Sequence, residues 1–198
     1  MKRFLEGYVQ VVDRITEALG RVAMYVAIVL IAVGFGNVVL RYVGRAIGVR
    51  LTSNMIIELQ WYMYSVIFLL GFAYILKHNI NVRVDFWFGR QSQRRKALID
   101  LLGHAIGLVP FAVIGLLVTY NPILTSWGRR PNGTWGPWEV SPDPSGLPRA
   151  PIKTMILVAF ITLFLQAIAE IIKLLNVYRD RPGPRPSHLE VEEPLRIE

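Results

Sequence analysis

The sequence predicts an all-α integral membrane protein with four transmembrane helices and an N-terminal amphipathic helix. Of its 198 residues, 53% are apolar and only 18% are charged, which is too apolar a composition for a soluble domain of this size. Four apolar runs are long enough, at about 1.5 Å per helical residue, to cross a hydrocarbon core roughly 30 Å thick. Lysines and arginines flank these runs instead of clustering on one soluble face, which argues against nucleic-acid binding.

Residues 1–21 show an amphipathic pattern ahead of the first span. Its apolar face holds Phe4, Leu5, Tyr8, Val9, Val12, Ile15 and Leu19, and polar residues share the opposite face. We expect an interfacial helix, lying along the inner leaflet or packing on a partner, with a solvated lead-in to the first span as the alternative. Both signs of charge and the length of the following apolar run argue against a cleaved signal peptide.

The predicted transmembrane domain covers residues 22–176. Its four spans are residues 22–40, 59–76, 101–120 and the run between Lys153 and Lys173. The segment at 177–198 mixes prolines with charges and cannot bury enough apolar surface to fold alone, so we expect a disordered cytoplasmic tail.

The distribution of basic residues predicts the orientation of the spans. Fifteen lysines and arginines lie before the first span, between the second and third, or after the fourth, whereas seven lie in the other two loops. By the positive-inside rule, both termini are then in the cytoplasm.

Arg41 and Glu58 are predicted to lie at the same membrane interface. Arg41 follows the first span and Glu58 precedes the second, and a carboxylate at a membrane edge is stabilised by water, headgroups or a cation. We therefore hypothesise a structural ion pair between them. The alternative is two side chains that reach the interface separately.

Two further groups of residues could have structural roles. Gly103 and Gly107 have the spacing at which helices approach closely in lipid, which would reflect packing within the chain, a partner interface or chance. Arg83 and Asp85 lie beside an apolar patch at 86–88, a composition suited to the headgroup layer. A run of charges like this also has a purely topological explanation.

Few residues point to catalysis or to a cofactor. The chain has no cysteine, and His78 with His104 makes one candidate pair of haem ligands between the second and third spans. The spans hold few polar groups at mid-depth and show no repeat, unlike transporters that work alone. We expect a non-catalytic membrane protein without cofactor or metal. A haem b anchor of a redox enzyme and an accessory subunit of another complex are the alternatives.

Several segments resemble the small membrane subunit, often called Q, of tripartite ATP-independent periplasmic (TRAP) transporters. They are the run from Glu58 through Trp61, the stretch LLGFAYIL with Gly71, NVRVD at 81–85, the end of the first span at 37–42, and LPRAPIK at 147–153. The resemblance covers about residues 22–175. One departure is Asn81, where the family usually has a histidine, and asparagine cannot titrate near neutral pH.

The resemblance implies a scaffold subunit in a bacterial inner membrane, multi-pass and surrounded by membrane lipids. Its main partner would be a large multi-span permease subunit that carries the substrate and sodium sites. A periplasmic substrate-binding protein would deliver organic anions, usually carboxylates, for sodium-driven uptake. Gly71, Arg83 and Asp85 would be positions of the family signature.

The loop between the third and fourth spans, residues 121–151, contains seven prolines together with Trp127, Trp135 and Trp138. Three tryptophans argue against disorder. Their rings either anchor the loop in the outer headgroup layer or offer a rigid surface to the binding protein.

Overall fold

The computed structural model of the chain describes residues 2–80, 88 and 90–189. Helix α1 is Lys2–Ala46, α2 is Asn54–His78, α3 is Gln93–Ser126 and α4 is Arg149–Tyr178. A short 3-10 turn, Ser187–Leu189, follows α4. Each of the four helices is long and apolar enough to span a membrane, and the described residues contain no strand beyond two isolated bridges. The predicted all-α class with four spanning helices is therefore confirmed.

Helix α1 is continuous from the amphipathic segment into the first span. Its 45 residues show no break at the predicted boundary between residues 21 and 22. No proline interrupts this stretch, so the backbone hydrogen bonds continue through both parts. Residues 2–21 thus belong to the same helix as the first span. Their position at the membrane interface stays a prediction, as does the cytoplasmic placement of the termini.

Helix α3 changes its hydrogen-bonding pattern near one end. Residues Gly103–Leu108 form a π-helical turn between two α-helical parts, Gln93–Leu102 and Val109–Ser126. Pro110 follows this turn and has no N–H to donate, and a local change of helix type is one way in which a proline is accommodated within a span.

Helix α4 lies at the centre of the fold and packs against each of the other three helices. In the most apolar 18-residue window of α4, 39% of the residues are buried within the chain, compared with 11% in α1, 11% in α2 and 6% in α3. Ala159, Ala167 and Ala169 of α4 are almost completely buried, because small side chains let neighbouring backbones come close. The outer helices therefore have wide apolar faces that the described residues do not cover.

Two close helix contacts are made at glycines outside the predicted pair. A Cβ atom on Gly20 of α1 would overlap the ring of Tyr74 in α2, and one on Gly115 of α3 would overlap Phe160 in α4. By contrast, a Cβ on Gly103 or Gly107 would meet nothing within 4 Å. These two glycines are exposed in the π-helical turn, so packing within the chain does not explain their spacing.

The segment after α4 folds back onto the helix ends. Leu189 is buried in a cluster with Ala97 of α3 and Leu174 of α4, and Pro186 is also buried. The Ser187 hydroxyl donates a 3.2 Å hydrogen bond to the carbonyl oxygen of Lys77 at the end of α2. Residues 186–189 therefore use an apolar surface that the helices already form, and the predicted disorder of the tail stays a prediction. Residues 190–198 lie outside the described part of the chain.

Candidate functional site

Two polar sites tie the helices together, one at each end of the molecule. We name them, by the orientation that the positive-inside rule predicts, the outer clasp and the inner polar cluster. The outer clasp consists of Asn54, Glu58 and Tyr62 with residues 139–149 and Lys153. The inner polar cluster consists of Asp13, Thr16, Glu17, Lys77, His78, Gln166, Glu170 and Lys173.

Glu58 is the centre of the outer clasp. Its side chain is buried, with a relative exposure of 3%. One carboxylate oxygen accepts a hydrogen bond from the Ser141 hydroxyl, and the other accepts one from the backbone N–H of Leu147 at 2.5 Å. Both partners belong to the loop that precedes α4. A buried carboxylate is tolerated here because each of its oxygens is hydrogen-bonded.

The predicted ion pair between Arg41 and Glu58 is wrong. Arg41 is exposed on α1, and no ion pair joins it to Glu58 among the described residues. Glu58 turns toward the loop because that loop offers a hydroxyl and an unpaired backbone N–H close to α2. The two hydrogen bonds are the main stabilisation of the carboxylate, and the Arg149 guanidinium nearby adds a smaller favourable interaction.

One face of α2 supplies all three α2 residues of the outer clasp. Asn54, Glu58 and Tyr62 are four residues apart, so their side chains lie on the same side of the helix. The Tyr62 hydroxyl donates to the carbonyl oxygen of Pro148 at 3.0 Å, and the Asn54 amide donates to that of Pro144 at 3.4 Å. This face therefore positions the entry into α4.

A second carboxylate stabilises the loop itself. The ammonium group of Lys153 in α4 lies 2.5 Å from Glu139 Oε2, and the backbone N–H of Arg149 donates to the Glu139 carbonyl oxygen at 2.8 Å. The Lys153 ammonium holds the pKa of the Glu139 carboxyl below its ordinary value, with a further contribution from the nearby Arg149 guanidinium. The first turn of α4 is thereby joined to the loop that precedes it.

The loop presents two of its three tryptophans to the surroundings. Trp127 packs edge-on against Trp138 with ring centroids 4.6 Å apart, and its indole N–H donates to Thr154 Oγ1 at 2.7 Å. Trp135 and Trp138 remain 64% and 50% exposed. Gly128, with a φ of +95°, allows the backbone of Gly136 to come close, and a side chain there would overlap that backbone. The predicted order of this loop is confirmed within the described residues.

Lys173 is the centre of the inner polar cluster. Its ammonium group lies 2.9 Å from Asp13 Oδ1 of α1 and 2.8 Å from Glu170 Oε1, and only 5% of its side chain is exposed. The Gln166 amide donates to the same two carboxylate oxygens, at 3.0 Å and 2.9 Å. Gln166 also accepts a 2.7 Å hydrogen bond from the Thr16 hydroxyl. These contacts lock α1 onto α4.

A neighbouring set of charges joins α1 to α2. The ammonium group of Lys77 lies 2.6 Å from Glu17 Oε1, and His78 Nε2 lies 2.7 Å from the same oxygen. Lys77 also donates to the carbonyl oxygen of Asp13 at 3.3 Å. The amphipathic part of α1 is therefore held by α2 and α4 together.

The sequence itself contains a signal for this cluster. Gln166, Glu170 and Lys173 are spaced by four and three residues, which places all three on one face of α4. Asp13 and Thr16 have the matching spacing on α1. Polar residues aligned on two helices indicate a helix pair, although the sequence alone does not show which faces are in contact.

The two histidines have separate contacts. His78 turns toward Glu17 and stacks on Tyr74, with ring centroids 4.3 Å apart. The ring nitrogen Nδ1 of His104 donates to the Asp100 carbonyl oxygen of its own helix at 2.6 Å. These contacts do not favour the alternative of a shared haem. In the part of the chain that the structure describes, no group of three or more histidine, aspartate or glutamate side chains could hold a metal ion.

Of the remaining predicted residues, only some lie in the part of the chain that the structure describes. Gly71 lines a cleft of about 420 Å³ between α1 and α2, together with Gly20 and Tyr74. Arg83 and Asp85 lie outside the described residues, and so does Asn81. Roles for these residues stay predictions.

The architecture defines a class of protein: a small helical membrane protein whose buried polar groups hold its own helices together. Residues 30–177 match the family model described as the DctQ component of tripartite ATP-independent periplasmic transporters. The match covers well over half of the chain, and the protein therefore belongs to this family, the small permease component of TRAP transporters. Neither a search of curated proteins nor a search of solved structures found a match.

Proposed function

We propose that this chain is a non-catalytic brace that holds a large permease subunit in the membrane. The family supplies the general role of a small permease component. The large subunit would then carry the sites for the transported solute and the coupling ion. On this proposal the small chain contributes position and rigidity but no transport site.

The observation that carries this proposal is the uneven burial of the four helices. Helix α4 is covered on several sides, whereas α1, α2 and α3 leave most of their apolar windows uncovered. Large exposed side chains on these faces include Phe35 of α1, Phe68 of α2 and Leu117 of α3. Contiguous apolar faces of this kind suit either lipid or a larger hydrophobic partner.

The two polar sites support the role of a brace. The inner polar cluster joins α1, α2 and α4 at one end, and the outer clasp joins α2 to the start of α4 at the other. Buried polar networks with many hydrogen bonds favour a single rigid arrangement. A subunit that stays fixed while its partner moves needs this property.

Site-specific photo-cross-linking tests the brace. A photoreactive residue is placed at Phe35, Phe68 or Leu117 in cells that express the whole transporter. We expect at least one of these positions to cross-link to the large subunit. Leu70 and Ile123, which are 4% and 3% exposed, are matched control positions on α2 and α3 that should give no such product.

Co-purification provides the second measurement. The tagged chain should bring down the large permease subunit from detergent-solubilised membranes. Cross-links to lipid alone at all three exposed positions, together with no co-purifying permease, would sink the proposal.

The same proposal includes the transported solute and the driving force. We infer sodium-driven uptake of organic anions, usually carboxylates, delivered by a periplasmic substrate-binding protein across a bacterial inner membrane. Uptake by reconstituted small and large subunits should need the binding protein and an inward sodium gradient. Uptake that persists after the sodium gradient is collapsed would contradict this coupling while leaving the brace intact.

A further inference from the structure

An arginine-rich pocket lies where α3 begins and α4 ends. Its volume is about 400 Å³, and it is lined by Arg94 near the start of α3, by Tyr178 at the end of α4, and by Arg179, Asp180 and Arg185 beyond it. We call it the arginine pocket. It is separate from the outer clasp and shares no residue with the inner polar cluster.

The charges of the arginine pocket favour an anion. Three guanidinium groups face one carboxylate, that of Asp180. Within the described residues, none of the three arginines makes an ion pair. A cavity with this excess of positive charge attracts anions, and arginine binds phosphate oxygens through two parallel hydrogen bonds.

The arginines are positioned by the fold. The Arg94 guanidinium lies over the ring of Tyr178, 4.8 Å from its centroid. The segment that carries Arg185 is held by a 3.3 Å hydrogen bond from the Asn176 amide to the Pro184 carbonyl oxygen, and by the buried Pro186 next to it. These contacts restrict Arg94 and the segment of Arg185 before a ligand binds, so less conformational entropy is lost on binding.

The location of the pocket indicates which anion it meets. Gln93 begins one candidate spanning helix, eight residues before the predicted apolar run at Leu101, and Tyr178 ends another, five residues after Lys173, which bounds its apolar run. At about 1.5 Å per helical residue, the pocket then lies within roughly 12 Å of the apolar layer. This is the level of the lipid headgroups, and Val177 and Tyr178 add apolar and aromatic surface to the lining. A phosphate that is held in a bilayer is present there at high local concentration.

From these observations we propose that the arginine pocket binds the phosphate of an anionic phospholipid headgroup. Arg94, Arg179 and Arg185 contact the phosphate oxygens, and the Tyr178 ring stacks against the Arg94 guanidinium. Binding of a lipid at this position joins α3, α4 and the segment after α4. The site is independent of the partner subunits and of the transported solute.

Native mass spectrometry of the full-length chain in detergent, stripped of native lipid, tests the site. Phosphatidylglycerol is titrated against the wild type and against a variant with Arg94→Gln, Arg179→Gln and Arg185→Gln. We expect the dissociation constant to rise at least about tenfold in this variant, because charge-assisted contacts to the phosphate are lost. The matched control, with Arg90→Gln, Arg95→Gln and Arg181→Gln, loses the same charge from exposed positions outside the pocket.

The control separates a site from diffuse surface charge. We expect it to change the dissociation constant by less than about twofold. Equal losses in the two variants would overturn the proposal. A titration with inorganic phosphate distinguishes the source of the anion, since inorganic phosphate that binds as tightly as the lipid would replace the lipid assignment by a soluble anion.

A second variant guards against loss of folding. Replacing the three arginines by lysines keeps the charge but removes the paired hydrogen bonds of guanidinium to phosphate. We expect phosphatidylglycerol binding to weaken by about threefold or more in this variant. An unchanged affinity would overturn an arginine-specific site.

Discussion

The ammonium group of Lys173 in α4 lies 2.9 Å from the carboxylate of Asp13 in α1, and the two side chains are 5% and 23% exposed. Glu170 shares the same ammonium group at 2.8 Å. One cation thus balances two carboxylates in a site largely closed to water. Removing it leaves the two negative charges without their cation.

The Lys173→Met substitution is expected to destabilise the chain strongly. Breaking a buried ion pair from one side costs about 3 kcal/mol or more, because the remaining charges keep their desolvation penalty. The measurement is the free energy of unfolding in mixed detergent micelles. Adding Asp13→Asn and Glu170→Gln to the variant should restore part of the loss.

The matched control for Lys173 is Lys153, which pairs with Glu139 on the surface of the loop. Both side chains of that pair are more than one third exposed, so Lys153→Met should cost below about 1 kcal/mol. If both substitutions lower the free energy of unfolding equally, the inner polar cluster stabilises the chain no more than a surface ion pair does.

The Glu58→Gln substitution is expected to loosen the loop before α4. The amide keeps one acceptor oxygen but turns an NH₂ group toward either the Ser141 hydroxyl or the Leu147 N–H. We expect the melting temperature to fall on the order of 3 °C and hydrogen exchange at residues 139–148 to increase.

The Arg41→Ala variant is the control for Glu58→Gln. Since Arg41 is exposed and not paired with Glu58 among the described residues, Arg41→Ala should leave both measurements close to wild type. The double variant should behave as the sum of the two single ones. A coupling between the two positions would restore the ion pair that the sequence suggested.

Two glycines are expected to differ although both lie in α3. Gly115→Ala brings a Cβ into the ring of Phe160, and overpacking of this kind costs about 1–3 kcal/mol. Gly107→Ala meets open space and should leave the free energy of unfolding unchanged or slightly raised. Measurement of both variants in the isolated chain checks the contrast, and a larger loss at Gly107 would contradict the packing described above.

The stability of the loop is expected to depend on pH through Glu139. Its pKa is lowered in the folded chain, chiefly by Lys153, so its stabilising contribution is complete above the ordinary value of 4.5. That contribution is lost as the pH falls through the lowered folded value. Because 38% of the Glu139 side chain is exposed, solvent screening keeps the effect below about 1 kcal/mol.

Melting curves recorded from about pH 7 to about pH 3 measure this dependence. The Glu139→Gln variant removes the titrating group and should show a weaker fall at acidic pH than the wild type. Identical curves for the two proteins would assign the acid sensitivity to other carboxylates.

Trp135 and Trp138 are expected to matter for transport more than for folding. Both rings are largely exposed, so Trp135→Ala with Trp138→Ala should reduce uptake that depends on the binding protein while the chain stays folded. Trp127→Ala is the structural control, since Trp127 is partly buried and bonded to Thr154. Unchanged uptake in the double variant would leave membrane anchoring as the role of these rings.

The sequence alone predicted four spans because each is a long apolar run with charges at its ends. It predicted the order of the outer loop from its tryptophans, and the family from a few short segments. It did not predict the partners of Glu58. A carboxylate in a sequence shows that a partner is needed, but the partner here is a serine 83 positions away and a backbone N–H that carries no sequence signal.

What the sequence determined by itself is thus the class of the protein and the positions of its spanning helices, since local hydropathy decides both. Tertiary structure decided which helix became the centre, how Lys173 meets Asp13, and where the segment after α4 folds. Each of these depends on contacts between residues far apart in the chain, and several helix faces are similarly apolar. Only the complete packing of the helices selects one arrangement among them.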